Sequence, residues 1–144
     1  STGEDGKKTT SEERPVMVHR AMLGSVERMF AVLTEHWGGK WPLWLSPRQM
    51  CIVPVDPKFG DYASHVRAQL HNAGFHVECD LSARTLNKKV REAQQAQYNF
   101  ILVVGQTEVD EGSVNIRTRD NQQEGTLTIA DAIVKFNALV ADYK

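Results

Sequence analysis

Along this chain the spacing of apolar residues switches between the alternation of a strand and the longer period of a helix. Met50 to Val55 (MCIVPV) is continuously apolar and reads as a buried strand. From Asp61 to Ala73 the apolar positions Tyr62, Val66, Leu70 and Ala73 fall on one helical face, and Gly74 is placed to cap it. Phe75 to Leu81 (FHVECDL) alternates as a strand, and Thr85 to Ala96 turns Leu86, Val90 and Ala93 inward on a helix. Phe100 to Val104 (FILVV) is apolar throughout, the pattern of a central strand covered on both faces. Val114 to Arg119 alternates again, and a polar turn from Asp120 to Gly125 precedes a short strand. A final helix turns Ile129, Ile133, Phe136 and Val140 inward, with Thr128 and Asp131 as its capping pair.

Upstream the pattern is different. Ser1 to Arg14 is polar and aperiodic, the composition of an exposed or disordered lead. Pro15 to Val18 reads as a short apolar strand that delivers His19. From Ser25 a helix is predicted with Met22, Val26, Met29 or Phe30, and Leu33 on one face, ended by Gly38-Gly39. Lys40 to Gln49 (KWPLWLSPRQ) has two prolines, two tryptophans and no period, and reads as a linker whose aromatics dock on a neighbouring surface. The expected organisation is therefore residues 1–39, a linker at 40–49, and a domain at 50–144. Strands alternating with helices predict a three-layer α/β domain whose first strands run parallel; the late hairpin makes the sheet mixed.

Bulk properties narrow the class. A chain of 144 residues with 41% apolar content fits one ordinary domain with an appendage. A net charge of −1 leaves no global basic field, so any polyanion site must be a local patch. Cys51 and Cys79 lie in strand-like runs without ligand spacing, which predicts two reduced core thiols in an intracellular protein. No apolar run approaches the roughly 20 residues of a membrane span.

Phosphate-binding glycine motifs are missing: the loop after the first strand of the domain is DPKFG, with neither G-x-x-x-x-G-K-[ST] nor G-x-G-x-x-G. His65, His71 and His76 read as surface or edge residues. The strand at 114–119 places Asn115, Arg117 and Arg119 on one face, with neighbours about 7 Å apart. A planar guanidinium can bond a base edge twice or stack on it, so this row suits reading unstacked bases. The alternative is a solvated face with salt bridges to Asp110, Glu111 or Asp120. Arg84, Lys88, Lys89 and Arg91 form a basic cluster near a helix start that could hold backbone phosphates; the alternative is an ordinary solvated helix face. His19 is alone, whereas zinc needs three or four protein ligands, so by spacing it is a core or strand-edge histidine. Arg28 in a first helical turn opposes the helix dipole, and a bound triphosphate or an acidic neighbour would offset it.

The run RPVMVHRAMLGSVERM resembles motif 3 of the class II aminoacyl-tRNA synthetases, in the form carried by threonyl-tRNA synthetases. WPLWLSPRQ, TLNKKVREAQ, YNFILVVG and VNIRTRDN resemble, in order, segments of the anticodon-binding domain that follows motif 3 in that family. The likeness covers Arg14 to Lys144. It implies a class II anticodon-binding domain preceded by the last strand and helix of an antiparallel-sheet catalytic domain. The chain would then be the tail of a larger enzyme that activates threonine with ATP and transfers it to tRNA-Thr. His19 would be one of three zinc ligands; Gly24, Ser25 and Arg28 would meet ATP, with Arg28 catalytic. Arg117 and Glu108 fall at positions that contact anticodon bases in family members, with Arg119, Asn115, Arg84, Lys88, Lys89 and Arg91 as neighbours in that surface. Ala83 and Thr85 stand where bacterial members often have an asparagine and a lysine, and TLNKK looks like the eukaryotic form.

The resemblance further implies a homodimeric parent, a monomeric and inactive isolated chain holding neither ATP nor zinc, and a cytoplasmic location with the mitochondrion as the alternative. A non-catalytic, synthetase-like tRNA-binding module is the competing function; His19 and Arg28 favour the ligase, because a pure reader has no physical need for them.

Overall fold

The computed structural model describes residues 15–22 and 24–144. The chain divides into two units, Ser1–Leu33 and Thr34–Lys144. In the first, residues 15–22 have no regular secondary structure, and Val16, Met17 and Val18 are exposed. The strand expected over Pro15–Val18 is thus not formed. A strand needs a neighbour for its N–H and C=O groups, and among the described residues nothing pairs with this segment. Helix α1 (Val26–Trp37) does form, and the Ser25 hydroxyl caps it by accepting from the Arg28 N–H at 3.1 Å. Val26 and Phe30 on its expected apolar face are exposed.

The second unit is built on five strands: β1 (Met50–Pro54), β2 (Val77–Cys79), β3 (Phe100–Val104), β4 (Ser113–Thr118) and β5 (Gln123–Thr128). Their order is β2-β1-β3-β4-β5. β1 runs parallel to both β2 and β3, whereas β3/β4 and β4/β5 are antiparallel, so the expected mixed sheet is observed. Helices α2 (Gly60–Asn72) and α5 (Ile129–Ala141) cover one face. Ala63, Val66 and Leu70 of α2 and Ala132 and Phe136 of α5 meet Met50, Ile52, Phe100, Leu102, Val104, Val114 and Ile116 there. On the other face Val90 and Ala93 of α3 (Leu86–Gln95) pack on Cys51, Val53, Ile101 and Val103. β1 and β3 are therefore apolar on both sides, as central strands must be. Each fully buried Val, Leu, Ile, Phe or Met among these contributes about 1.5–3 kcal/mol.

Two local features depart from the sequence pattern. Gln106–Glu111 forms a short helix, α4, that its six residues were too few to announce by period. Its start is held by the Glu108 carboxylate, which accepts from the Gly105 N–H at 2.9 Å. β5 begins at Gln123, inside the segment expected as a turn. Ile116 pairs with Gly125 but Arg117 pairs with Gln123, so Glu124 is an extra residue in a β-bulge. Gly125 has φ +97, a conformation that favours glycine, which is why this strand carries a turn signal.

Residues 40–49, expected to link two domains, are built into the second unit. Pro42, Leu43, Ser46 and Gln49 are buried. The Gln49 amide donates to the Leu43 carbonyl at 2.9 Å and accepts from the His76 N–H at 2.7 Å. Gly38 and Gly39, with φ +54 and +85, end α1 as expected.

Candidate nucleic-acid interface

β4 supplies the polar row. Val114 and Ile116 face the core, so period two turns Asn115 and Arg117 to the opposite face. There they lie across from Val103 and Ile101 of β3, and from Thr126 and Gln123 of β5. α3 packs against β1 and β3, and Asn115 and Arg117 remain half-buried beside exposed Gln123 and Thr126. Two polar atoms in this row have no hydrogen-bond partner although solvent does not reach them: Asn115 Oδ1 and Arg117 Nε. Leaving such a group unpaired costs about 1–3 kcal/mol, so groups of this kind point to a missing ligand or ordered water. Gln123 was missed as a neighbour because the glycine bulge disguised the start of its strand as a turn; Thr126 lies in the short strand expected after that turn.

Arg119 does not join the row. β4 ends at Thr118, and the Arg119 guanidinium donates to the Trp41 carbonyl at 2.5 Å, which also accepts from the Asn99 amide at 2.9 Å. Burial lowers its pKa, partly opposed by the Asp120 charge. It thus fastens the 40–49 segment to the start of β3.

The basic helix also separates into different roles. Lys89, expected in a solvated cluster, is only 1% exposed. Its ammonium donates to the carbonyls of Pro54 and Asp80, both at 3.3 Å, at the carboxyl ends of β1 and β2. The helical period that turns Leu86, Val90 and Ala93 inward sweeps Lys89 under the helix with them. Arg84 is paired with Glu92, one residue beyond the end of the basic cluster. Lys88 and Arg91 remain exposed on the outer side of α3, together with Thr85 and Asn87. Glu108 is half-buried at the start of α4 with one oxygen committed to the Gly105 N–H.

His65, His71 and His76 are exposed, as expected for surface residues. Cys51 is a buried free thiol whose pKa is pushed up to about 12, first by burial and then by the charge of Asp80. Cys79 is half-buried and also shifted up by burial. In the first unit His19, Gly24 and Arg28 are exposed, and the Ser25 hydroxyl is used as the α1 cap. Among the described residues no three His, Cys, Asp or Glu side chains come together as a metal site. His19 therefore offers a single donor, and the described residues do not make a zinc site by themselves.

The comparison with protein families bears on this surface. The family described as "Anticodon binding domain" matches residues 49–139, more than half of the chain. The chain belongs to the anticodon binding domain family. Threonine--tRNA ligase 1, cytoplasmic, of Bos taurus is 58% identical over 95% of this chain and 18% of that protein. The Homo sapiens protein of the same name is 59% identical over 89% of this chain and 18% of its own length. This chain thus spans under a fifth of these relatives. Among solved structures, the RNA binding domain of threonyl-tRNA synthetase from Cryptosporidium parvum superposes with a TM-score of 0.79 at 48% identity. That likeness covers 84% of this chain and 30% of the other. The matched anticodon-domain region contains all five strands, Arg117, Asn115, Lys88 and Arg91.

Proposed function

We propose that this chain is the anticodon-reading part of a threonine–tRNA ligase that activates threonine with ATP and transfers it to tRNA-Thr. The observation that carries the proposal is the row on β4, where half-buried Arg117 holds an unpaired donor and half-buried Asn115 an unpaired acceptor. Family membership and the 58% identity to the Bos taurus ligase support tRNA as the partner. In this reading Arg117 bonds an anticodon base, with Asn115 beside it and Glu108 at the neighbouring strand ends. Lys88 and Arg91 hold backbone phosphates, with Arg84 as a further contact once it leaves Glu92. Lys89 and Arg119 act from behind the surface, by fixing α3 and the 40–49 segment.

Residues 1–39 belong, in the same proposal, to the ligase's catalytic domain, and 40–49 joins it to the anticodon domain at 50–144. Gly24, Ser25 and Arg28 would serve ATP, and His19 would contribute one ligand to a zinc ion completed by residues outside those described. The parent would be a cytoplasmic homodimer; the cytoplasmic names of the Bos taurus and Homo sapiens relatives support the location.

Binding of tRNA-Thr anticodon stem-loops to the chain tests the proposal. Arg117→Ala should weaken binding by about 1–3 kcal/mol, and the loss should depend on anticodon sequence. Equal losses on stem-loops with unrelated anticodons would remove Arg117 as a base reader.

A further inference from the structure

Arg119 lies two residues beyond Arg117, just past the end of β4, and its guanidinium turns to the Trp41 carbonyl. The Asn99 amide donates to the same oxygen, so both lone pairs of that carbonyl are in use. The two donors are held side by side, because the Arg119 N–H donates to the Asn99 carbonyl at 3.3 Å. Each nevertheless keeps an idle group. Arg119 Nη1 and Asn99 Oδ1 are both closed to solvent and without a partner. One is a donor and the other an acceptor, so this clasp leaves a complementary pair unmade, and each group carries its desolvation cost.

The same deficit recurs along β4 at Ser113, Asn115 and Arg117. The register of β4 against β5 slips between Ile116 and Arg117, and a bulge is where a strand bends. A close-packed interior would hold the clasp in one arrangement. Here a cavity of about 500 Å³, lined among others by Trp37, Trp41, Asn99, Thr118 and Arg119, gives it room for a second.

We infer that Arg119 is a positioning residue that couples RNA contact at Arg117 to the segment carrying Trp41. The inference rests on the anticodon-reading function proposed above and adds a regulation to it. Contact with a base draws Arg117 across the bulge, and the end of β4 moves with it. Arg119 then exchanges its Nη2 bond to the Trp41 carbonyl for an Nη1 bond to Asn99 Oδ1. One buried hydrogen bond is lost and one is gained, so the two arrangements lie close in energy and RNA contact selects between them. In the functional proposal residues 40–49 join the anticodon domain to the catalytic domain, so the clasp reports anticodon occupancy at that junction.

All three tryptophans, Trp37, Trp41 and Trp44, fall within residues 37–44, so tryptophan emission reads this segment alone. The experiment titrates the tRNA-Thr anticodon stem-loop into the 144-residue chain, following binding by anisotropy of labelled RNA and the segment by emission. Wild-type emission should change and saturate together with binding. Arg117→Ala, brought to saturation with more RNA, should lose most of that change. Arg119→Ala should still bind, with emission that no longer responds. Arg119→Lys, which keeps the charge but not the two-pronged fork, replaces the alanine variant if that one does not fold, and should bind with a diminished response. Binding that leaves wild-type emission unchanged overturns the inference. So does a full response in the Arg119 variants, which direct stacking of RNA on a tryptophan or a purely structural Arg119 would give. In either case the anticodon-dependent loss expected of Arg117→Ala stands on its own. If that loss is indifferent to the anticodon, the functional proposal falls and this inference with it.

Discussion

Lys89→Ala separates the two roles that a lysine in this helix can play. Truncation beyond Cβ removes three buried methylenes, worth about 0.8 kcal/mol each, or ~2.4 kcal/mol together. It also removes the two hydrogen bonds to the Pro54 and Asp80 carbonyls. Bonds from a charged donor contribute about 1.5–3 kcal/mol each, and at 3.3 Å these belong at the low end of that range. Removing the ammonium also relieves its burial cost, which offsets about 1.5–3 kcal/mol of that sum. The expected net loss is therefore about 2–4 kcal/mol. Urea unfolding at pH 7 measures it as a fall in midpoint with an unchanged slope. Lys88→Ala, one residue away and exposed, should change stability by no more than about 0.5 kcal/mol. Its effect should show instead in the salt dependence of RNA binding, whose slope should fall by about one. Equal stability of the two variants, with equal losses of salt slope, would refute the buried position of Lys89 and return it to the solvated cluster.

Two further outcomes are expected from the same region. Burial raises the pKa of the Asp80 carboxyl, but hydrogen bonding from Ser82, whose N–H donates at 3.0 Å, and the charges of Lys89 and Arg84 outweigh it and bring the group below its ordinary 3.8. A depressed folded pKa stabilises above the unfolded value and loses that contribution as pH falls through the folded one. The advantage of the native protein over Asp80→Asn in urea midpoint should thus be present at pH 7 and shrink below about pH 4; a gap that stays constant with pH would contradict this. With its pKa near 12, Cys51 should resist alkylation at pH 8 in the folded protein and react only on unfolding, as mass spectrometry of the labelled peptides would reveal. Rapid native labelling of Cys51 would refute its burial under α3.

The alternation of elements in residues 50–144 was legible because each long element buries one whole face, and burial imposes a period. FILVV could only be a strand apolar on both sides, and it lies third in the five-stranded order. The α2 face of Val66 and Leu70 and the Thr128 cap of α5 follow from the same local rules. What failed were the pieces whose structure depends on a neighbour. Pro15–Val18 has strand composition but no paired strand among the described residues. Gly125 looked like a turn because a bulge and a turn ask the same backbone freedom of glycine.

The candidate surface divides in the same way. The sequence determined that Asn115 and Arg117 share a face, because alternation along a strand needs no partner to be defined. It also determined that Lys88, Lys89 and Arg91 are cationic and close together. Only the tertiary structure decided which of these cations stay exposed. The carboxyl ends of β1 and β2 present carbonyls beneath α3, and Lys89 donates to them. The Trp41 carbonyl captures Arg119 from a segment far away in sequence. Those acceptors come from parts of the chain that no local pattern connects, so charge and spacing alone could not tell a structural cation from a binding one.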